Sequence, residues 1–162
     1  MLIISFMKLS LSNQVFTSMD LTQQAPRSPR VMLGGYAILP RMLDKGRAQL
    51  NGSNGSYHYN CPLDQRLLSF LGIESEELLA ELKAGKGDHE ILTWITEHAI
   101  NKYSDQEIAS WSTWQIGRAP TSVEAREYFQ EMQKESAPDR EDIGGWFDLL
   151  DVDDFVSFGG KA

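Results

Sequence analysis

The feature that most constrains the fold is a succession of helix-start signals, each followed by apolar residues at helical spacing. Ser104-Asp105-Gln106-Glu107 precedes Ile108, Trp111 and Trp114, and Thr121-Ser122-Val123-Glu124 precedes Ala125, Tyr128, Phe129 and Met132. In each, a hydroxyl and a carboxylate three residues on can satisfy N–H groups that a first helical turn leaves unpaired. Cys61-Pro62 opens another segment, with Leu63, Leu67, Leu68 and Leu71 on one face and Gly72 to close it. Ser75-Glu76-Glu77 begins an apolar run to Leu82, its acids at the positive end of the helix dipole. Asp88 can cap a helix that turns Ile91, Leu92, Ile95 and Ala99 inward, and a last helix is expected from Asp139 to Asp151. Strand alternation and repeats are absent. The expected fold is all-α: a compact single domain of six to eight short helices, with room for one short hairpin near Tyr57.

The first third is more broken. Met1 to Gln24 has weak periodicity, and residues 1–19 are read as a loose N-terminal arm before one helical domain over 20–162. Ser28-Pro29 predicts a short helix, Gly35 to Pro40 a break, and Pro40 to Leu50 a second helix. Asn51 to Asn60 is a loop rich in Gly, Asn and Ser. Its two Asn-Gly-Ser triplets are read as turns, since Asn and Gly tolerate positive φ.

Composition narrows the function classes. At 162 residues the chain can bury a sizeable core without staples. One cysteine forms no internal disulfide, which fits a reducing, cytosolic setting. The opening run Leu2-Ile3-Ile4-Ser5-Phe6 is too short for a signal-peptide core, and no stretch approaches the ~20 apolar residues of a membrane helix. The net charge of −8 is uneven. Residues 1–72 hold seven Lys/Arg against three acids, and residues 73–162 hold eight against twenty. The acidic half would be repelled by nucleic acid or an anionic membrane, so neither is an expected partner.

Polar chemistry gathers in two places. Tyr57-His58-Tyr59-Asn60-Cys61-Pro62-Leu63-Asp64-Gln65-Arg66 holds the only cysteine beside a histidine, two tyrosines, an acid and an arginine. A helix start stabilises negative charge on Cys61, and His58 three residues earlier can serve as its base, so the pair is the candidate for thiol-dependent catalysis. No third orienting residue is evident, and a lone cysteine beside proline reads equally as a small buried hydrophobe. His58, Cys61 and Asp64, with His89 or His98, lack the thiolates of a structural zinc site, so no metal is expected. No motif names a cofactor. The second place is Arg27, Arg30, Arg41, Lys45 and Arg47. Arg41 and Lys45 share a helical face, and guanidinium forks suit carboxylate or phosphate. The competing reading pairs these cations with Asp44, Asp64 or the acidic second half. Asp148, Asp151, Asp153 and Asp154 read as solvated surface, and the four tryptophans as core.

Three strings carry a resemblance: Asp20-Leu21-Thr22 with Pro26-Arg27-Ser28-Pro29-Arg30; Leu33-Gly34-Gly35-Tyr36 with Leu39-Pro40-Arg41-Met42-Leu43-Asp44-Lys45; and Trp146-Phe147-Asp148-Leu149-Leu150-Asp151. Over about Asp20 to Phe158 the chain resembles the bacterial domain-of-unknown-function family numbered 5069. The resemblance implies one small domain and carries over no functional residue. The residues therefore set the expectation: a small anionic ligand held between the Arg27–Arg47 and Tyr57–Arg66 segments by Arg41, Lys45, His58, Tyr59 and Arg66. The alternatives are a protein partner docked by the acidic second half, and a Cys61/His58 enzyme.

Overall fold

The computed structural model describes residues 19–162, so the expected loose arm lies almost entirely outside the described residues. Seven helices follow one another: α1 (Leu39–Leu50), α2 (Pro62–Leu71), α3 (Ser75–Lys83), α4 (Asp88–His98), α5 (Asp105–Ile116), α6 (Val123–Ser136) and α7 (Trp146–Ser157). The fold is all-α. Among the described residues the only strand-like pairing is one isolated bridge, Leu33 to Tyr36. No described helix is long and apolar enough to cross a membrane.

α1 is the central element. Leu39, Met42, Leu43 and Ala48 are fully buried, and so, nearly, are the charged Arg41, Asp44 and Lys45. It packs on α2 and α3. Gly46 permits the close approach to α3, because a Cβ there would lie 2.6 Å from Leu82 and 3.2 Å from the Tyr59 ring. The helix starts abruptly at Ile38, a buried β-branched residue with φ 73°. Such a residue in the left-handed region costs about 1–3 kcal/mol. Burial of its side chain and its N–H bond to the Pro29 carbonyl (2.9 Å) hold it there.

Several local expectations are corrected. No helix follows Ser28. Its hydroxyl accepts the Arg30 N–H at 3.2 Å and donates to Asp151 at 2.7 Å, which ties the segment to α7. No hairpin forms near Tyr57. Gly52, Gly55 and Asn60 take positive φ, and the Asn54 side chain donates to the Tyr57 carbonyl at 2.8 Å, giving successive turns. Ser122 rather than Thr121 caps α6, accepting the Ala125 N–H at 3.0 Å. The last helix begins at Trp146, not Asp139, because Gly144-Gly145 interrupts and the Asp148 carboxylate accepts the Gly145 N–H at 3.0 Å. The Ser104/Glu107 capping box and the left-handed Gly72 stop stand as expected.

Two apolar clusters result. The larger gathers α1 to α5, with Leu67, Leu71, Leu78, Leu82, Ile91 and Trp94 among its members. The smaller gathers Phe129, Ala137, Ile143 and Leu149 from α6, α7 and their connection. Polar ties span the clusters. Arg41 pairs with Asp154 at 2.7 Å, Tyr57 donates to the same carboxylate at 2.8 Å, and Arg30 pairs with Asp148 and Asp151. The acidic end of α7 is thus only partly solvated. Asp154 is buried, because Arg41 needs it as a partner.

Candidate functional site

The seam between the two clusters holds a cavity of about 770 Å³. Helical periodicity builds its walls. α2 turns Leu67, Leu68 and Leu71 into the core and presents Leu63, Arg66 and Phe70 to the cavity. α5 contributes Trp111, Trp114 and Gln115, with Arg118 just beyond its end. α6 supplies Tyr128 and Met132, and α7 supplies Trp146, Leu149, Leu150 and Asp153. The volume lies in the range of small-molecule pockets, and the mixture of aromatic walls with few polar groups is typical of them.

The rings are anchored from behind. Phe70 stacks on Tyr103 at 4.0 Å and on Trp111 at 4.7 Å, both nearly parallel. Trp146 meets Phe129 edge-on at 5.2 Å. Trp114 differs: it is 61% exposed, with the Arg118 guanidinium 5.7 Å above its ring. This corrects the expectation that all four tryptophans are core. Trp94 is buried, while Trp111, Trp114 and Trp146 line the cavity.

The polar groups are few. Arg66 and Arg118 form no ion pair with any acid among the described residues. Burial first, and the neighbouring Arg66 second, lower the Arg118 pKa from its ordinary value. Two like charges therefore share the cavity lining, neither of them in an ion pair among the described residues. Asp153 is the one carboxylate in the lining, and it accepts the Ser136 hydroxyl at 3.1 Å. Gln115 is 2% exposed, and its Oε1 has no hydrogen-bond partner among the described residues.

Of the five residues expected to hold the anion, Arg66 alone lines this cavity. Arg41 is buried in its pair with Asp154 and sits 5.5 Å over the Tyr57 ring. Lys45 is buried 2.8 Å from Asp64 and 3.1 Å from the Cys61 sulfur. Burial raises the Asp64 pKa, while Lys45 and the Asn60 N–H oppose the shift. Tyr59 is buried and donates to the Ser75 carbonyl at 2.8 Å, and burial raises its pKa. His58 is exposed and makes no hydrogen bond to Cys61; the group on the sulfur is Lys45. Arg27 binds Asp44 and Asp88, both at 2.8 Å, and Arg47 binds Asp88 at 2.7 Å. Burial works against the Asp88 charge, but Arg27 and Arg47 outweigh it and hold its pKa below the usual carboxylate value. The competing reading of the basic cluster, pairing with Asp44, Asp64 and the second half, therefore describes all five cations. No group of three or more His, Cys, Asp or Glu able to hold a metal occurs among the described residues.

Sequence reasoning missed Trp114, Gln115 and Arg118. Trp111 and Gln115, like Trp114 and Arg118, are four apart and so share a face. A basic residue beyond a helix end, however, reads first as a partner for the helix dipole. A family model described as Domain of unknown function (DUF5069) matches residues 23–156. A search of curated proteins gave no match.

Proposed function

We propose, for a chain that belongs to the DUF5069 family of domains of unknown function, that it binds a small anionic molecule with a flat apolar body in the seam cavity. The observation that carries this reading is that Arg66 and Arg118, neither in an ion pair among the described residues, both line an aromatic pocket. An anion between two guanidiniums relieves their repulsion and accepts hydrogen bonds from both forks. The apolar body stacks against Trp111, Trp114 and Trp146, which reward area and planarity.

This keeps the anionic ligand expected from the sequence and keeps Arg66 and the α2 wall. The opposite wall moves from the Arg27–Arg47 segment to α5, α6 and α7, and Arg41, Lys45 and Tyr59 become scaffold. A cytosolic setting belongs to the same reading and rests on the single free Cys61.

Isothermal titration of the full chain with 2-naphthoate, a planar monoanion, tests it. Wild type is expected to bind, and Arg66→Ala and Arg118→Ala each to weaken binding about ten-fold with little change in melting temperature, as loss of a charge-assisted bond implies. Absence of binding to wild type, or undiminished binding to both variants, rejects the site. Should a basic protein instead bind with α6 acids such as Glu124, Glu127 and Glu131 as its footprint, the interaction-module reading takes its place.

A further inference from the structure

We infer that Gln115 reads the ligand, and that the class it selects is a planar aromatic anion bearing an N–H or O–H donor. This deepens the cavity reading above and rests on it. Gln115 lies in the last turn of α5, and its neighbour four residues back, Trp111, lines the same wall. The side chain is 2% exposed, yet its Oε1 accepts nothing among the described residues. A buried carbonyl oxygen without a donor costs free energy in the empty protein, and nearly all buried polar groups find a partner. Ser112, one turn earlier on α5, shows the ordinary case: it is fully buried, donates to the Gly35 carbonyl at 2.6 Å and accepts the Ala37 N–H at 2.9 Å. Gln115 is the contrast on the same helix, and it is the one that borders the cavity.

The remaining lining supports the assignment by what it cannot do. Arg66 and Arg118 can only donate, so they hold the anion and leave a ligand's own donor unmet. Asp153 is partly exposed and accepts the Ser136 hydroxyl, and Gln65 and Ser69 are exposed to water. The Gln115 oxygen is the lining acceptor that is both buried and unpartnered among the described residues. To reach it, a ligand must displace a side chain that closes it off. Trp114, the adjacent lining residue and 61% exposed, is the ring with space to turn. The donor then separates ligands of equal charge and area: one that brings a hydroxyl or ring N–H satisfies the orphan oxygen, and one that brings C–H leaves it unsatisfied.

The experiment compares 2-naphthoate with the set of monohydroxy-2-naphthoates by isothermal titration, on wild type and on Gln115→Met, which keeps length and volume but removes the amide. At least one hydroxy isomer is expected to bind wild type roughly five-fold or more tighter than the parent, the gain of a single net hydrogen bond. That advantage should vanish in Gln115→Met while the affinity for 2-naphthoate itself persists. If no hydroxy isomer exceeds the parent on wild type, or if the advantage survives Gln115→Met, the assignment to Gln115 is overturned. If neither parent nor hydroxy isomers bind wild type, the cavity reading fails, and this inference with it. Gln115→Asn, which shortens the amide, is the second variant should Gln115→Met not fold; retention of the full hydroxyl advantage there also counts against the assignment.

Discussion

The basic residues of the first half and those of the seam have the same chemistry and opposite circumstances. Arg27, Arg41, Lys45 and Arg47 each meet an aspartate within 2.8 Å, and Arg41 and Lys45 are buried with theirs. Arg66 and Arg118 border open space with no acid paired to either among the described residues, and burial first and Arg66 second lower the Arg118 pKa. The difference teaches where to look for function in an acidic helical protein. Acids are plentiful, so a cation that has one is spoken for by the fold. A pair that lacks one beside aromatic walls has been left for something else. Buried pairs are expensive to break, because the surviving partner is stranded in a medium that cannot solvate it. Unpaired surface cations cost little to remove.

This comparison can be broken in stages. The largest effect is expected from Lys45→Met, which strands the fully buried Asp64: about 3–5 kcal/mol at pH 7 by urea unfolding. The pH dependence gives the sign. Burial already raises the Asp64 pKa, so its ionisation opposes folding as pH rises through the carboxylate range, and Lys45 is what limits that penalty. The gap between variant and wild type should therefore narrow as pH falls and Asp64 is protonated in both. A gap that widens toward acid would show that the pair is not the cause.

Next comes Arg27→Ala, at about 1–2 kcal/mol, because this side chain is half-buried and solvent screens part of its pairing. Here the sign is reversed. Asp88 has a lowered pKa, so its pairing contributes fully above the unfolded carboxylate value and is lost as pH falls through the lowered one. Arg27→Ala should therefore flatten the acid limb of the stability profile, read from melting temperatures between pH 2 and pH 5. The seam cations come after these. Arg66→Ala and Arg118→Ala should each change stability by less than about 0.5 kcal/mol, while titration shows their loss of anion binding. A destabilisation as large as that of Arg27→Ala would place them with the structural cations. The smallest expected effect is a gain. Gln115→Met should hold or raise the melting temperature by a degree or two, since it removes a buried acceptor that has no donor. A large loss would mean that the amide is already satisfied in solution.

The helical class and most helix positions were legible because caps and apolar spacing act over four to seven residues. The Ser104/Glu107 box and the Gly72 stop are entirely local. The misplaced elements failed where a distant partner decides. Ser28 could cap a helix, but Asp151, 123 residues away, takes its hydroxyl. Asp139 to Gly145 carried no signal strong enough to outweigh a glycine pair. The candidate site was the least legible. Arg66 was within reach as part of a dense polar segment, but Trp114, Gln115 and Arg118 acquire meaning only when α6 and α7 close over α5. Arg41 and Lys45 attracted attention as a paired face of one helix, and that face proved to be what the acids of α2 and α7 neutralise.

The seam has a thermodynamic consequence apart from ligand binding. Its two apolar clusters are joined by ionic and hydrogen-bonded ties beside the cavity, and α6 and α7 gather a small core of their own while α7 also buries Phe147 outside that cluster. Regions with sparse apolar contact can open without global unfolding. Native-state amide exchange should resolve this as two isotherms: the amides of α1 to α4 exchanging only through the global transition, and those of α6 and α7 through a lower-energy opening that moderate salt makes easier by screening the ties. The pair α6–α7 would then be a separate cooperative unit, whose protection from exchange is set by the carboxylates of its last helix.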